Sequence, residues 1–394
     1  MTHEEGDQIN ILNVIRYPIG GIRSYLKYTY PKLTTRYRTT IVTVNRPEAL
    51  LLPSGMTPLE VDLALVSERG PIWSLAWRAR TLLAGRRYQL VHAQGFTAAI
   101  VTLFADPGHR VPRVVTLHET LTPQHLGSLF GFGKRAFLAR VLGAMDSIVV
   151  VGEDAYANLT EALRLSPRTR SRIRIIRNGV SVQTLRAEAE QPTPNIRAQL
   201  GLDEGTPLVG FVGRFMPEKG FDLLIDAVGR IHGDRTVPAP FKVIAVNDGA
   251  FVREYRHQIA ERGLASLFAF VETQPSVSPL VRQMNAIVMP SRREACPLVA
   301  MEAMILGCPL IASDCIGLRE VTRGRPVFQV QSGDSHSLAG GLAACLNDPE
   351  RALQQARAYA TTAQADFDST RTAYELEAAF ADVLRAPDAI SPKS

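Results

Sequence analysis

Residues 289–314 read MPSRREACPLVAMEAMILGCPLIASD, and the parsing of that stretch decides the fold. An apolar run ends at Pro290 and a polar loop carries Glu294. A helix opens near Pro297, where proline's missing N–H is no loss. A second buried strand, PLIAS, follows at 309–313. Strand, helix and strand in that order make one βα repeat of a parallel sheet.

Working outward, the same alternation continues on both sides. PLVGFVG, FKVIAV, LFAFVE and NAIVMP precede this unit as strand candidates, and PVFQV follows it. Between the first two, a helix is expected from Lys219. Its Phe221, Leu224, Ile225 and Val228 recur at i, i+3, i+4 and i+7, one buried stripe. Near residue 188 the pattern breaks into EAEQPTPN, a linker composition. Upstream of it an earlier series runs through INILNVI, YRTTIVTV, YQLVHA, RVVTLH, DSIVVV and RIRII, with helical stretches at 95–105 and 153–164. The fold class is therefore α/β, with two doubly wound domains in tandem. Such sheets bind ligands at the carboxyl ends of their strands, so two facing domains imply a shared cleft.

The residues at those ends are chemically distinctive. Glu294 on its loop and Glu302 on the early turns of the helix both lie near the strand mouth. The amides of Leu298 and Val299 sit near the positive end of that helix. Taken alone, two glutamates there are equally explained as a favourable helix start. In GFVGRFMPEKG, Arg214 follows a strand and Lys219 opens the next helix, a pair suited to a diphosphate. A solvated basic turn is the competing account. Gly20 and Gly21 lie between the first strand and helix, where bare backbone can approach a ligand or simply make a tight turn. They do not form the G-x-G-x-x-G dinucleotide fingerprint. His118 ends a strand and faces the strand mouth, whereas His92 reads as a satisfied core histidine.

Composition narrows the class further. Up to residue 190 there are 24 Lys and Arg against 15 Asp and Glu, and beyond it 20 against 23. The basic first half suits an anionic partner. Residues 73–87, with Trp73 and Trp77, and residues 127–142, with Phe130, Phe132, Lys134, Arg135 and Arg140, read as basic amphipathic stretches. These suit either an anionic membrane surface or a core face with a solvated basic edge. The arginine-rich 164–177 stretch lacks an aromatic stacking platform, which disfavours nucleic acid. No apolar run reaches the roughly 20 residues of a membrane span. The start is acidic and polar rather than a secretory signal, and the four cysteines fit neither a disulfide framework nor a zinc pattern. They read as reduced, buried thiols of a cytoplasmic protein. GFGKRA lacks the phosphate-loop spacing, DFD at 366–368 stands apart from every other signal, and no G-x-S-x-G elbow appears.

Taken together, these motifs resemble the retaining nucleotide-sugar glycosyltransferases of the GT-B fold, specifically the glycosyl transferases group one family. The resemblance rests on GG at 20–21, VHAQ, VVTLHE and IRNGV in the first half. In the second half it rests on GFVGRFMPEKG, the 289–314 stretch and GLREV. It implies an acceptor-binding Rossmann-like domain over 1–190 and a nucleotide-sugar-binding one over 191–365. From 366 to 394 it implies a terminal helix crossing back to the first domain, and a tail. It also implies catalytic roles for Glu294, His118, Arg214 and Lys219. Arg214 and Lys219 would neutralise the departing diphosphate, and Glu294 would face the sugar. His118 would hydrogen-bond the sugar near the reaction centre. Gly20, Gly21, Pro297, Leu298, Val299 and Glu302 would bind substrate, with Glu302 on the ribose. The implied partners are a nucleotide diphosphate sugar and a lipid-linked, polysaccharide or other glycan acceptor. No metal or cofactor is expected.

Departures fall near donor contacts. EACPL replaces the frequent Gly-Phe-Gly, and Gln94 and Glu153 stand where His and Ser are common. VETQP replaces a glycine-bearing turn near the base. Two other accounts share the fold: a sugar phosphorylase, and a catalytically degenerate binding or scaffold subunit. The presence of all four charged residues speaks against the second.

Overall fold

A computed structural model describes residues 8–85, 87–122, 131–237, 240–246, 249, 251–272 and 276–385. The chain divides into two compact units, one formed by residues up to Gly179 with those from Ser369, the other by Val180–Asp368.

The first unit is built on seven parallel strands: β1 (Ile9–Ile15), β2 (Tyr37–Val44), β3 (Val61–Val66), β4 (Leu90–Gln94), β5 (Arg113–Leu117), β6 (Ser147–Val150) and β7 (Ile173–Ile175). Their order is β3-β2-β1-β4-β5-β6-β7. Six match the strands expected from sequence. The seventh, β3, reads VDLALV and lies at the sheet edge, where only Ala64 is fully buried.

The second unit carries β8 (Leu208–Val212), β9 (Lys242–Val246), β10 (Phe268–Val271), β11 (Ala286–Met289), β12 (Leu310–Ser313) and β13 (Phe328–Val330). They are parallel in the order β10-β9-β8-β11-β12-β13. In both sheets the order reverses beside the first strand, which places a topological switch point next to β1 and next to β8. The helix after β8 spans Phe221–Asp234, two residues later than expected, because Lys219 ends a short 3-10 turn, Pro217–Lys219. The stripe Phe221, Leu224, Ile225 and Val228 is wholly buried.

The chain changes units at Gly179, upstream of the proline-bearing break at 191–194. Helix Val182–Ala189 packs on helix Ser278–Val281, and so belongs to the second unit. The helix expected from about residue 366 is Ser369–Arg385, and it is preceded in the second unit by helix Pro349–Asp366. The junction is fixed where the Val180 amide donates to the Phe367 carbonyl at 2.7 Å. Asp366 there accepts from the Tyr359 hydroxyl at 2.8 Å and from Arg325. Helix Ser369–Arg385 then enters the first unit's core, where Leu376, Ala379 and Phe380 lie among Ile11, Leu26, Tyr37 and Ile41.

Among the described residues no helix is long and apolar enough to cross a membrane. The cysteines are all free, and burial pushes the thiols of Cys308 and Cys345 up to about 12.

Candidate functional site

The second unit gathers its charged residues at the carboxyl ends of β8 and β11. After β8, Phe215 is buried against Phe211 and Phe221, with ring centroids 5.8 and 4.9 Å away. That anchor leaves the preceding Arg214 exposed at the sheet edge. Lys219 follows in the 3-10 turn, and its ammonium donates to both oxygens of Glu294, at 2.7 and 2.8 Å. Ser291 donates a further bond to Glu294 Oε1 at 2.8 Å. The Lys219 side chain is 28% exposed and that of Glu294 only 9%, so the pair is mostly desolvated and strongly oriented.

Backbone contacts hold these two loops in register. The Arg292 amide donates to the Glu218 carbonyl at 2.8 Å, and its guanidinium donates to the Pro217 carbonyl at 2.8 Å. The same guanidinium grips Asp222 through two bonds of 2.8 and 2.6 Å. Gly220, at φ +69°, packs so closely that a Cβ there would stand 2.1 Å from the Pro290 carbonyl oxygen. On the other side, Gly317, at φ +79°, packs against the carbonyls of Glu294 and Ala295, where a Cβ would lie 2.5 and 2.6 Å away. Both positions require glycine for two reasons, the left-handed backbone and the close approach. The Glu294 amide donates to the Ile316 carbonyl at 3.1 Å.

The helix after this loop is Leu298–Ile305, with Pro297 at its N-cap and no side-chain cap. The first amides of a helix have no intrahelical partner, so those of Leu298 and Val299 are available to an acceptor. Glu302, one turn further on, is buried at 4% exposure. Lys219 and Glu294 are thus in direct contact, Arg214 shares the loop of Lys219, and Pro297, Leu298, Val299 and Glu302 continue from the loop of Glu294.

The first unit holds the remaining predicted residues. Gly20 caps helix Gly21–Thr29 at the carboxyl end of β1, with open space around both glycines. His118 follows β5, and its Nε2 lies 2.7 Å from Gln94 Oε1. An amide oxygen only accepts, so Nε2 carries the proton and Nδ1 presents a lone pair. Gln94 in turn donates to Asn13 Oδ1 at 3.2 Å, and Asn13 donates to the Tyr30 hydroxyl at 2.5 Å. The Tyr30 proton then goes to His92 Nδ1 at 2.6 Å, while His92 Nε2 donates to Thr116 Oγ1 at 2.7 Å. His92 is therefore a satisfied core histidine, as its sequence setting indicates. Burial holds both imidazoles down to about 3, so both are neutral. The ring of Tyr25 meets His118 edge-on at 4.7 Å. Sequence reasoning singled out Gln94 only as a departure, and it missed Asn13, Tyr25, Ser291 and Arg292. Their roles lie in contacts that no local motif encodes.

Comparison with known proteins places these features in a family. The description Glycosyltransferase Family 4 matches residues 19–184, and Glycosyl transferases group 1 matches residues 192–363. The chain belongs to the group 1 glycosyltransferases. Its two parallel-sheet units are the Rossmann-like halves of the GT-B architecture. A D-inositol 3-phosphate glycosyltransferase of Corynebacterium glutamicum is 25% identical over 348 residues, covering 84% of this chain and 79% of that protein. A glycogen synthase of Mycobacterium tuberculosis is 27% identical over 317 residues, covering 75% of this chain and 72% of that protein. Among solved structures, Anabaena HepE in complex with UDP-glucose superposes with a TM-score of 0.79. It is 21% identical, with coverage of 95% of this chain and 100% of that one.

Proposed function

We propose that this glycosyltransferase moves a hexose-type sugar from a nucleotide diphosphate sugar to a hydroxyl of a lipid-linked, polysaccharide or other glycan acceptor, with retention at the anomeric carbon and without a metal ion. The observation that carries the reading is the desolvated Lys219–Glu294 pair with Arg214 on the same loop. The reaction breaks a sugar–phosphate bond, and negative charge accumulates on the departing diphosphate. Fixed cations stabilise that charge without reorganising at the moment of reaction. Arg214 supplies a planar fork of donors and Lys219 a compact charge.

Glu294 suits the sugar rather than the bond-breaking step. Its oxygens are occupied by Lys219 and Ser291, so the carboxylate acts as an oriented acceptor for sugar hydroxyls, not as a nucleophile. Buried Glu302 takes the ribose hydroxyls, and the amides of Leu298 and Val299 take further donor oxygens. Gly20 and Gly21 let backbone approach the donor, and the Nδ1 lone pair of neutral His118 accepts from a sugar hydroxyl. The acceptor hydroxyl attacks on the face that the diphosphate leaves, and its proton passes to the leaving phosphate oxygen. The UDP-glucose complex of HepE and the named activities of the relatives support a nucleotide-sugar donor.

The test is a thermal-shift screen against UDP-, GDP-, ADP- and TDP-sugars with EDTA present, followed by release of nucleotide diphosphate when glycan acceptors are added. A matched donor raises the melting point. No response to any donor, or strict dependence on magnesium or manganese, contradicts the proposal. Consumption of free phosphate with a glycan instead identifies a phosphorylase.

A further inference from the structure

The first unit turns an unusual face outward. The connections β3 to β4, β4 to β5 and β5 to β6 all run toward the β7 edge, so right-handed crossovers put their helices on one side of the sheet. Those helices are Ile72–Ala84, Gly95–Ala105 and Gly131–Gly143, and the middle one packs against both others. Their inward residues, among them Leu75, Ala79, Leu138 and Val141, already supply the core. Large aromatics nevertheless stand on the outside. Trp73 is 57% exposed, Trp77 is 72% exposed and Phe132 is 79% exposed, and Phe104 and Phe137 are about half exposed. Trp77 lies one helical turn from Trp73, and the ring of Trp73 meets Phe104 edge-on at 4.7 Å. Isolated exposed apolar residues are ordinary, but aromatics shared among neighbouring helices mark an interaction surface.

Charge identifies the partner. The three helices carry Arg78, Arg80, Lys134, Arg135 and Arg140, all exposed, and no aspartate or glutamate. Helix Glu153–Ala162, next in the series, reverses the sign with Glu153, Asp154 and Glu161 and no cation, so the basic face ends there. A second copy docked face to face would set these cations against one another. Indole rings favour the headgroup level of a bilayer, and arginine and lysine stems lie along apolar surface while their heads reach anionic phosphates. We propose that this three-helix face docks the enzyme on an anionic lipid surface, with Trp73 and Trp77 inserted at the headgroup boundary and the five cations over the lipid phosphates. The purpose rests on the proposed lipid-linked acceptor, but the binding needs no substrate.

The chain contains only two tryptophans, so its indole emission reports this face directly. The whole protein is titrated with vesicles of phosphatidylcholine alone, or with about a third phosphatidylglycerol, at low and high salt. Anionic vesicles should shift the emission to the blue, brominated acyl chains should quench it, and high salt should release the protein. Reversing two charges in Lys134→Glu/Arg135→Glu should weaken vesicle affinity by about twenty-five-fold or more, at about fivefold per lost cation. Sedimentation with Trp73→Ala/Trp77→Ala should show reduced binding to the same vesicles. Donor-induced thermal shifts should be unchanged in both variants, so failure here and failure of the transferase reading are told apart. Unchanged emission with anionic vesicles, or equal binding to neutral ones, overturns the proposal. So does a lipid-free, concentration-dependent blue shift, which would reveal a contact between copies. A shift produced by polyglutamate and not by vesicles would instead identify an acidic protein partner.

Discussion

Replacing Lys219 by Met separates the structural from the chemical work of one ion pair. The substitution keeps most of the apolar stem and deletes the ammonium that holds both Glu294 oxygens. Glu294, 9% exposed, is then left with Ser291 as its described hydrogen-bond partner. Breaking a fully buried pair costs about 3–5 kcal/mol. Lys219 is 28% exposed and Ser291 remains, which lowers the expected loss to about 1–2 kcal/mol, a fall of roughly 2–8 °C in melting temperature. Turnover should fall far more, by about a hundred- to a thousandfold, the usual consequence of removing a group that stabilises developing charge. The double variant Lys219→Met/Glu294→Gln removes the uncompensated carboxylate as well. It should regain most of the lost melting temperature and none of the lost turnover. Differential scanning fluorimetry and a coupled assay for released nucleotide diphosphate read the two effects. Near-normal turnover in Lys219→Met, or activity recovering in step with stability in the double variant, would refute the assignment of Lys219 to the leaving group.

The remaining expectations follow from the same geometry. Arg214→Ala should lower turnover by about a hundredfold with little change in melting temperature, because its side chain is exposed; a stability loss equal to that of Lys219→Met would contradict this. Gly220→Ala should destabilise the fold by about 2 kcal/mol or more, since its Cβ would stand 2.1 Å from the Pro290 oxygen at a left-handed φ, and an unchanged melting temperature would refute the close approach. His92 and His118 are held near 3 when folded, below the roughly 6.5 of the unfolded chain. Between those values the unfolded state binds more protons, so the stability these residues provide is present above about 6.5 and lost as pH falls toward 3. The acid limb of a denaturation curve should therefore flatten in His92→Gln, and an unaltered limb would show that the ring is not buried neutral.

Much of this was legible in the sequence because parallel sheets write a strong local signal. Twelve of the thirteen strands lie in apolar runs bounded by turn residues or helical stretches, and the exception is the edge strand β3. The residues Arg214, Lys219, Glu294 and Glu302 were visible because strand ends and helix starts are recognisable, and carboxyl ends of strands bind ligands. Their pairing was not visible. The contact of Lys219 with Glu294 depends on Arg292 reaching back to Pro217 and Asp222, a tertiary bond across 70 residues or more. The tautomer of His118 was equally hidden, because it is set by Gln94, whose amide is itself oriented by Asn13 from a separate strand. The outward face of Trp73 and Trp77 could not be separated from a core face by periodicity, since either gives the same helical stripe.

Helix Ser369–Arg385 imposes an order on biosynthesis. Its Leu376 and Phe380 are wholly buried in the hydrophobic centre of the unit whose other residues are translated first. That centre must wait, with Ile11, Leu26 and Tyr37 incompletely covered, while the whole Val180–Asp368 unit leaves the ribosome and folds. The later-made half can therefore reach its final form before the earlier-made half does, and a stop codon just before Ser369 would cripple the part of the molecule furthest from it in the message.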